Sequence, residues 1–313
     1  MGLTRVTVDL AARVSQHTHS DTGAHSDTGG YGVDSEFGRL TRVLLSAPDH
    51  LAMVPCNSVT KEALRRGLGV DPAVAAAQHS ALVETLHTAD VETLVAVAAA
   101  DLPDQVFARD TTVMTPWGLV GLRPGAFHRR AEVEHVLAQA RAAGVPILGR
   151  IERGMIEGGD VCILRPGVVI IGVTGSRTND EGAECLAAIF RKRGWRAMLH
   201  HFDPHFLHLD TIFTVVDEGL ALGCRDVLDD AFMDEMARDG IEILPVSYKQ
   251  ARKLGCNVVS LGDRRVMTSV DNFDVNAQLR DRGYQLFPVD VSQFTRCGGG
   301  IHCLTMPLGR VPA

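Results

Sequence analysis

Four absences narrow what this chain can be. It has no surplus of basic charge: 31 Lys and Arg stand against 38 Asp and Glu in 313 residues, a formal net charge of −7. Without a basic patch, nucleic acid is not an expected partner, and a small cationic molecule suits the balance better. The seven cysteines, Cys56, Cys162, Cys185, Cys224, Cys256, Cys297 and Cys303, form an odd set with no Cys-x-x-Cys pair. That argues against a disulfide framework and a ribbon-type zinc site, and it predicts a reducing, cytoplasmic setting. No apolar run approaches the roughly 18 residues that cross a bilayer, and the N-terminus lacks a signal-peptide apolar core, so no membrane association is expected. A Gly-x-Gly-x-x-Gly turn is missing too, which counts against a dinucleotide-binding sheet.

What is present is a chain with 45% hydrophobic residues, enough for a large core in one big domain or two ordinary ones. Residues 1–38 read as a disordered tail. The stretch 13–38 is polar and Gly-rich, repeats HSDTG at His19–Gly23 and His25–Gly29, and has no hydrophobic period. From 39 to 313 a single catalytic domain is expected. Strand-like runs come in pairs followed by a helix-like run and another strand. Helices are predicted over 72–89, opened by Asp71 and Pro72, over 130–143 and 180–193, closed by Gly144 and Gly194, and over 229–240 and 275–283. A ββαβ-like unit thus recurs about five times at roughly 45 to 60 residues, a period that points to a propeller of pseudo-symmetric modules. In such a fold, chemistry sits where the module loops converge on the central axis.

Four clusters fall where those loops would be: 107-FARD-110, 157-EGGD-160, 208-HLDT-211, and the His302–Cys303 pair inside 298-GGGIHCLTMP-307. The first three lie about one module apart. Each has an ordinary structural explanation alone: Asp110 and Asp160 as caps, Glu157 in a solvated turn, His208 as a core histidine, Cys303 as an inert buried thiol. Together, one thiol, one imidazole and several carboxylates make a site for a cationic carbon electrophile. Guanidinium fits, because carboxylates pair with its N–H groups, hold it planar and preserve the charge that makes its carbon attackable. The same carboxylates should raise the thiol pKa, so the thiolate is expected to form when the cation binds. On this reading His302 and Cys297 are bystanders.

Two metal readings compete and are weaker. His208 and Asp210 have the His-x-Asp spacing of a non-haem iron site, but such sites sit in all-β folds. His201, His205, His208 and Cys303 could hold zinc, but Pro204 breaks the helix that would align the first two. No metal or other cofactor is expected.

At these residues the sequence resembles the guanidine-modifying enzyme superfamily: dimethylarginine dimethylaminohydrolases, arginine deiminases and amidinotransferases, built on a five-bladed αβ-propeller, the pentein fold. The likeness runs from about Leu40 to Leu308, through 102-LPDQVFARD-110, 123-RPGAFHRRAEVE-134, 157-EGGD-160, 176-SRTNDEGAE-184, 208-HLDT-211 and 298-GGGIHC-303 in the family's order. The resemblance implies that Cys303 is the nucleophile, that His208 is first acid and then base, and that Glu157, Asp110 and Asp210 hold the guanidinium. It also implies that Arg129, with Arg123 and Arg130, holds a substrate carboxylate, and that Asn57 belongs to a mobile lid. The implied reaction is hydrolysis of a guanidino C–N bond in arginine or a methylarginine through a covalent thiouronium adduct. Dimerisation is expected from the family as well. The motif around 123–134 looks like the dimethylarginine enzymes, whereas HLDT and FARD look like arginine deiminase. Further alternatives are two rounds of hydrolysis to ornithine, ammonia and carbon dioxide, amidino transfer, and a non-enzymatic binding protein on the same fold.

Overall fold

A computed structural model of the protein describes residues 29–312. β1 (Arg39–Ser46) leads through α1 (Ser58–Arg65) and α2 (Pro72–Thr88) to β2 (Glu92–Ala96). Next come β3 (Thr112–Thr115), β4 (Gly118–Gly121), α3 (Arg130–Ala142) and β5 (Ile147–Arg150), then β6 (Val161–Arg165), β7 (Val168–Val173), α4 (Asp180–Arg191) and β8 (Arg196–His201). The third such run is β9 (Phe213–Asp217), β10 (Leu220–Gly223), α5 (Asp230–Arg238) and β11 (Glu242–Pro245), followed by the short α6 (Tyr248–Ala251). The fourth is β12 (Val259–Gly262), β13 (Arg265–Ser269), α7 (Phe273–Asp281) and β14 (Gln285–Val289). The chain finishes with α8 (Ser292–Thr295), α9 (Ile301–Leu304) and β15 (Met306–Val311).

These strands form five sheets of three strands each. Every sheet joins an antiparallel pair to a third strand that lies parallel to the middle one after a helical crossover, as in β6, β7 and β8. Four sheets are continuous in sequence and match the expected repeat. The remaining sheet is assembled from both ends of the chain: β15 pairs antiparallel with β1, setting Leu44 opposite Met306, and β2 pairs parallel on the other side. First strands of different sheets touch one another, β15 with β3, β12 with β9 and β9 with β6, while β12 also meets β1.

Local chemistry explains the element boundaries. Asp71 caps α2 by accepting from the backbone N–H groups of Ala73 and Val74, with Pro72 in the first turn, and the Asn179 side chain accepts from Gly182 at the start of α4. β7 is buried at all six positions, the pattern of a strand covered on both faces. The core divides into three clusters, each with one fully buried phenylalanine: Phe213, Phe190 and Phe294. Burial of each ring contributes about 1.5–3 kcal/mol.

One boundary differs from expectation. Residues 30–38, assigned to the tail by composition, are folded onto the end of the chain. Gly32 donates to the Leu308 carbonyl and accepts from Arg310, Val33 and Phe37 are buried, and Glu36 is buried beside Arg109 and His302. Backbone pairing and a charge contact fix this stretch, and neither leaves a hydrophobic period in the sequence. The earlier part of the expected tail, with its histidines His17, His19 and His25, lies outside the described residues. Among the described residues, no helix is long and apolar enough to cross a membrane.

Candidate active site

In each sheet the residues just ahead of the first strand carry the polar chemistry. Short turns at Ala108–Asp110, Gly158–Asp160 and Leu209–Thr211 run into β3, β6 and β9, and α9 runs into β15. These turns touch one another: 108–110 meets 158–160 and α9, and 158–160 meets 209–211. The fifth sheet supplies Asn257, two residues before β12, which lies 47 residues after Asp210 and 46 before Cys303. Every module therefore delivers at least one polar side chain to a single place.

The Cys303 thiol lies 3.6 Å from Asp210 Oδ2 and 3.3 Å from the Asn257 amide nitrogen. Burial pushes the thiol well above its ordinary pKa, and the charges of Asp210 and Asp110 push it further in the same direction. The expected direction holds, with burial the larger cause. The backbone comes close here because Gly300 has no side chain: a Cβ would stand 2.5 Å from Asn257 Oδ1. His302 is not a bystander. Its Nδ1 is 2.8 Å from Asp210 Oδ2, and its backbone N–H donates to Asn257 Oδ1 at 2.9 Å. Burial would raise the Asp210 pKa, but hydrogen bonding and charge from His302 outweigh it and hold the carboxylate below its ordinary value.

His208 is buried with Nε2 2.6 Å from Glu157 Oε2 and Nδ1 3.6 Å from Asp110 Oδ1. Burial alone would depress its pKa; the Asp110 charge, the Glu157 hydrogen bond and the nearby Asp160 overcome this and raise it to about 10. At neutral pH it is an imidazolium, equipped to donate a proton. Gly159 packs under the ring, where a Cβ would lie 2.7 Å from its atoms. Asp160 has a positioning role: Oδ2 accepts from the Thr178 hydroxyl at 2.6 Å and Oδ1 from the Leu209 N–H at 2.9 Å, and burial raises its pKa to about 7. Two buried polar atoms of these side chains, His208 Nδ1 and Asp210 Oδ1, have no hydrogen-bond partner. The Asp210 oxygen can accept from a donor-rich ligand, and the protonated Nδ1 can donate to a leaving nitrogen.

The arginines divide differently from expectation. Arg129 is buried and gripped by Asp110 at 2.5 Å, by Glu132 at 2.8 Å, and by the carbonyls of Asp104 and Phe107. These contacts leave one NH1 hydrogen for the cleft, so the side chain chiefly orients Asp110. Arg123 donates to the Gly154 carbonyl at 2.5 Å and is absent from the described residues lining the cavities. Arg130 donates to the Pro124 carbonyl. Arg177, which carried no role in the sequence reading beyond its place in SRTN, lines both cavities; it contacts Glu157 at 3.4 Å and donates to the Cys56 carbonyl at 3.1 Å. Asn57 caps α1 through reciprocal bonds with Thr60 and donates to the Cys297 carbonyl at 3.2 Å. His201 pairs with Asp180 and His205 meets Tyr248, so neither turns toward Cys303. Asp110, Glu157 and His208 place ligand atoms within 4.8 Å of one another, but Arg129 and Arg177 already neutralise those carboxylates.

Cys303 lies in a narrow cleft with His208, Asp110, Arg129 and Arg177. A wide vestibule of about 1030 Å³, sharing Cys56, Asn57, Arg177, Leu207 and Gly298 with the cleft, lies beside it. The vestibule wall carries Lys61, Arg177, Arg252 and Lys253 against one carboxylate, Asp271. The vestibule is cationic, whereas the cleft mixes Asp104 and Asp110 with Arg129 and Arg177.

The sequence model of the eukaryotic N,N dimethylarginine dimethylhydrolase family matches residues 41–310, which spans every turn described above. The chain belongs to the dimethylarginine dimethylaminohydrolase family. Within the wider guanidine-modifying superfamily, it is a hydrolase acting on C–N bonds in linear amidines. The N(G),N(G)-dimethylarginine dimethylaminohydrolase of Streptomyces coelicolor is 31% identical over 239 residues, covering 76% of this chain and 88% of that one. Among solved structures, a Cys-to-Ser variant of the dimethylarginine dimethylaminohydrolase from Pseudomonas aeruginosa complexed with citrulline superposes with a TM-score of 0.72 at 23% identity, over 86% of this chain and 99% of that one. The N-terminal domain of ArgZ, an arginine dihydrolase from cyanobacteria, gives a TM-score of 0.76 at 19% identity over 86% and 97%.

Proposed function

We propose that this dimethylarginine dimethylaminohydrolase family member hydrolyses the guanidinium of a free arginine-type amino acid through a covalent adduct on Cys303. The observation that carries the reading is the convergence of the Cys303 thiol with two unpartnered buried atoms, His208 Nδ1 and Asp210 Oδ1. A bound guanidinium would donate to the open Asp210 Oδ1, and its departing nitrogen would face the proton on His208 Nδ1. Its positive charge lowers the thiol pKa, so the nucleophile forms only when substrate is present. The thiolate attacks the guanidino carbon. Imidazolium His208 gives its proton to the departing amine, leaving a thiouronium and a neutral imidazole. That imidazole then takes a proton from water as the water attacks the same carbon. The C–S bond breaks, the added hydroxyl gives up its proton to solvent, and a ureido product and the thiolate are released. Glu157 holds His208 in position, Asp110 and Asp210 hold the guanidinium, and Arg177 with the remaining Arg129 N–H meets the substrate carboxylate at the cationic mouth.

Asp210 favours a substrate with unsubstituted N–H groups on the nitrogen it faces, because each methyl removes a donor from a buried acceptor. Arginine is therefore proposed as the better substrate, with a methylarginine the second reading, favoured by the family match itself. We also propose that the five sheets close into a propeller as a single domain, and that the protein works in the cytoplasm as a homodimer; the seven free cysteines support a reducing compartment. The test is to incubate the protein and its Cys303→Ser variant with arginine, mono- and dimethylarginines, agmatine and citrulline, and to measure ureido product, amine and ornithine. Turnover of arginine above the methylarginines, abolished in the variant, is expected. No turnover of any of them would sink the hydrolase reading, and full activity of Cys303→Ser would remove the nucleophile.

A further inference from the structure

A second group of ligating side chains lies outside the reacting centre. Cys56 Sγ, an Asp104 carboxylate oxygen and a His128 ring nitrogen all lie within 4.8 Å of one another. The three come from separate segments: Cys56 precedes α1, Asp104 precedes the 108–110 turn, and His128 lies just ahead of α3. Asp104 Oδ2 and His128 Nε2 are already 2.7 Å apart. The positions of the three are fixed from behind. Arg177 donates to the Cys56 carbonyl at 3.1 Å and Arg129 to the Asp104 carbonyl at 3.2 Å, so two buried guanidinium groups pin the backbone of two of the members. Neither guanidinium leaves an uncompensated charge there, since Glu157 faces Arg177 and Asp110 and Glu132 face Arg129.

We infer that Cys56, Asp104 and His128 form a binding site for a divalent cation of the zinc class, at the throat between the vestibule and the Cys303 cleft. A thiolate, a neutral imidazole and a carboxylate offer the soft, intermediate and hard donors that zinc accepts together, and their combined charge balances the ion. Bonds of zinc length set donors about 3.3–3.8 Å apart. Cys56 needs to close in by no more than about 1 Å while Asp104 and His128 part by about 0.6 Å, the metal taking the place of their hydrogen bond. One coordination position stays open for solvent. The location follows from the walls: His128 lines the vestibule, Asp104 lines the cleft, and Cys56 lines both. An ion held by all three stands across the passage to Cys303 and ties the segment before α1 to the opposite wall. Bound metal therefore hinders substrate entry, raising KM more than it lowers kcat.

The binding part of this inference is independent of the hydrolase reading, whereas its effect on KM rests on that reading. The experiment uses the full chain carrying Cys303→Ser, which removes the catalytic thiol as a ligand, and titrates it with Co²⁺. A thiolate-to-cobalt charge-transfer band saturating at one equivalent and displaced by Zn²⁺ is expected. It should vanish when Cys56→Ala or His128→Asn is added, with circular dichroism confirming that each protein remains folded. Absence of the band in Cys303→Ser, or its persistence after Cys56→Ala, would overturn the site. In the enzyme with Cys303 intact, Zn²⁺ should raise KM, and Cys56→Ala should lose that sensitivity. Should no substrate be turned over, the cobalt titration still decides the site.

Discussion

Asn257 has no charge and no nucleophile, yet it touches both the Cys303 thiol and the backbone that presents it. Replacing it with Ala removes a hydrogen bond to a group that becomes charged during reaction, worth about 1.5–3 kcal/mol. Such a loss lowers kcat/KM by about 10- to 100-fold, and steady-state kinetics would check it. His302 acts at one remove: it keeps Asp210 ionised, so His302→Ala should raise the Asp210 pKa and move the acid limb of the kcat/KM profile to higher pH. His208 couples the site to stability. Its pKa is raised from the ordinary 6.5 to about 10 in the folded protein, so its contribution is complete below about 6.5 and is lost as pH rises toward 10. Thermal unfolding should show a falling midpoint across that window, and His208→Asn should flatten it. Among individual residues, spacing and chemical type drew attention to Cys303, His208, Glu157 and Asp110, and the family resemblance added Asp210. Asn257 escaped because an amide carries no chemical signal of its own, although it stands at the module spacing. Arg129, Arg123 and Arg130 were assigned a substrate carboxylate through the family resemblance, and only the fold shows which carboxylates and carbonyls engage them.

At the scale of elements, turn residues decide how closely the modules approach. Gly300→Ala sets a methyl against the Asn257 amide, and Gly159→Ala sets one against the His208 imidazole. Each should cost about 1–3 kcal/mol by overpacking, and calorimetry on the two variants would measure it. Activity should fall further than stability, since each methyl displaces a group that acts on substrate. The helices were legible from their ends, where Asp71 with Pro72 opens α2 and Gly144 and Gly194, with φ of +81° and +79°, follow α3 and α4. The packed stretch 30–38 was not, because its order comes from partners nearly the whole chain away, such as the Gly32 bonds to Leu308 and Arg310. Periodicity reports local amphipathy and is silent about long-range backbone pairing.

For the whole molecule, the repeat was readable because each module keeps its own strand pair, helix and returning strand. What the sequence left open was how the first module is completed, since β1 and β2 carry no neighbouring antiparallel partner of their own. β15 fills that place. Removing residues 305–313 would leave Cys303 in the chain but expose a bare edge on β1. That truncation should abolish activity and reduce soluble yield, measured by size-exclusion chromatography, even though every proposed catalytic side chain remains.

The same pairing sets an order of events during synthesis. β15 follows directly on the helix that carries Cys303, and its partner β1 lies more than 250 residues earlier, a contact of high sequence separation that forms slowly. A growing polypeptide on the ribosome thus holds its carboxylates and its histidine long before it holds a placed thiol. The thiol is therefore expected to be in place only once β15 has reached β1.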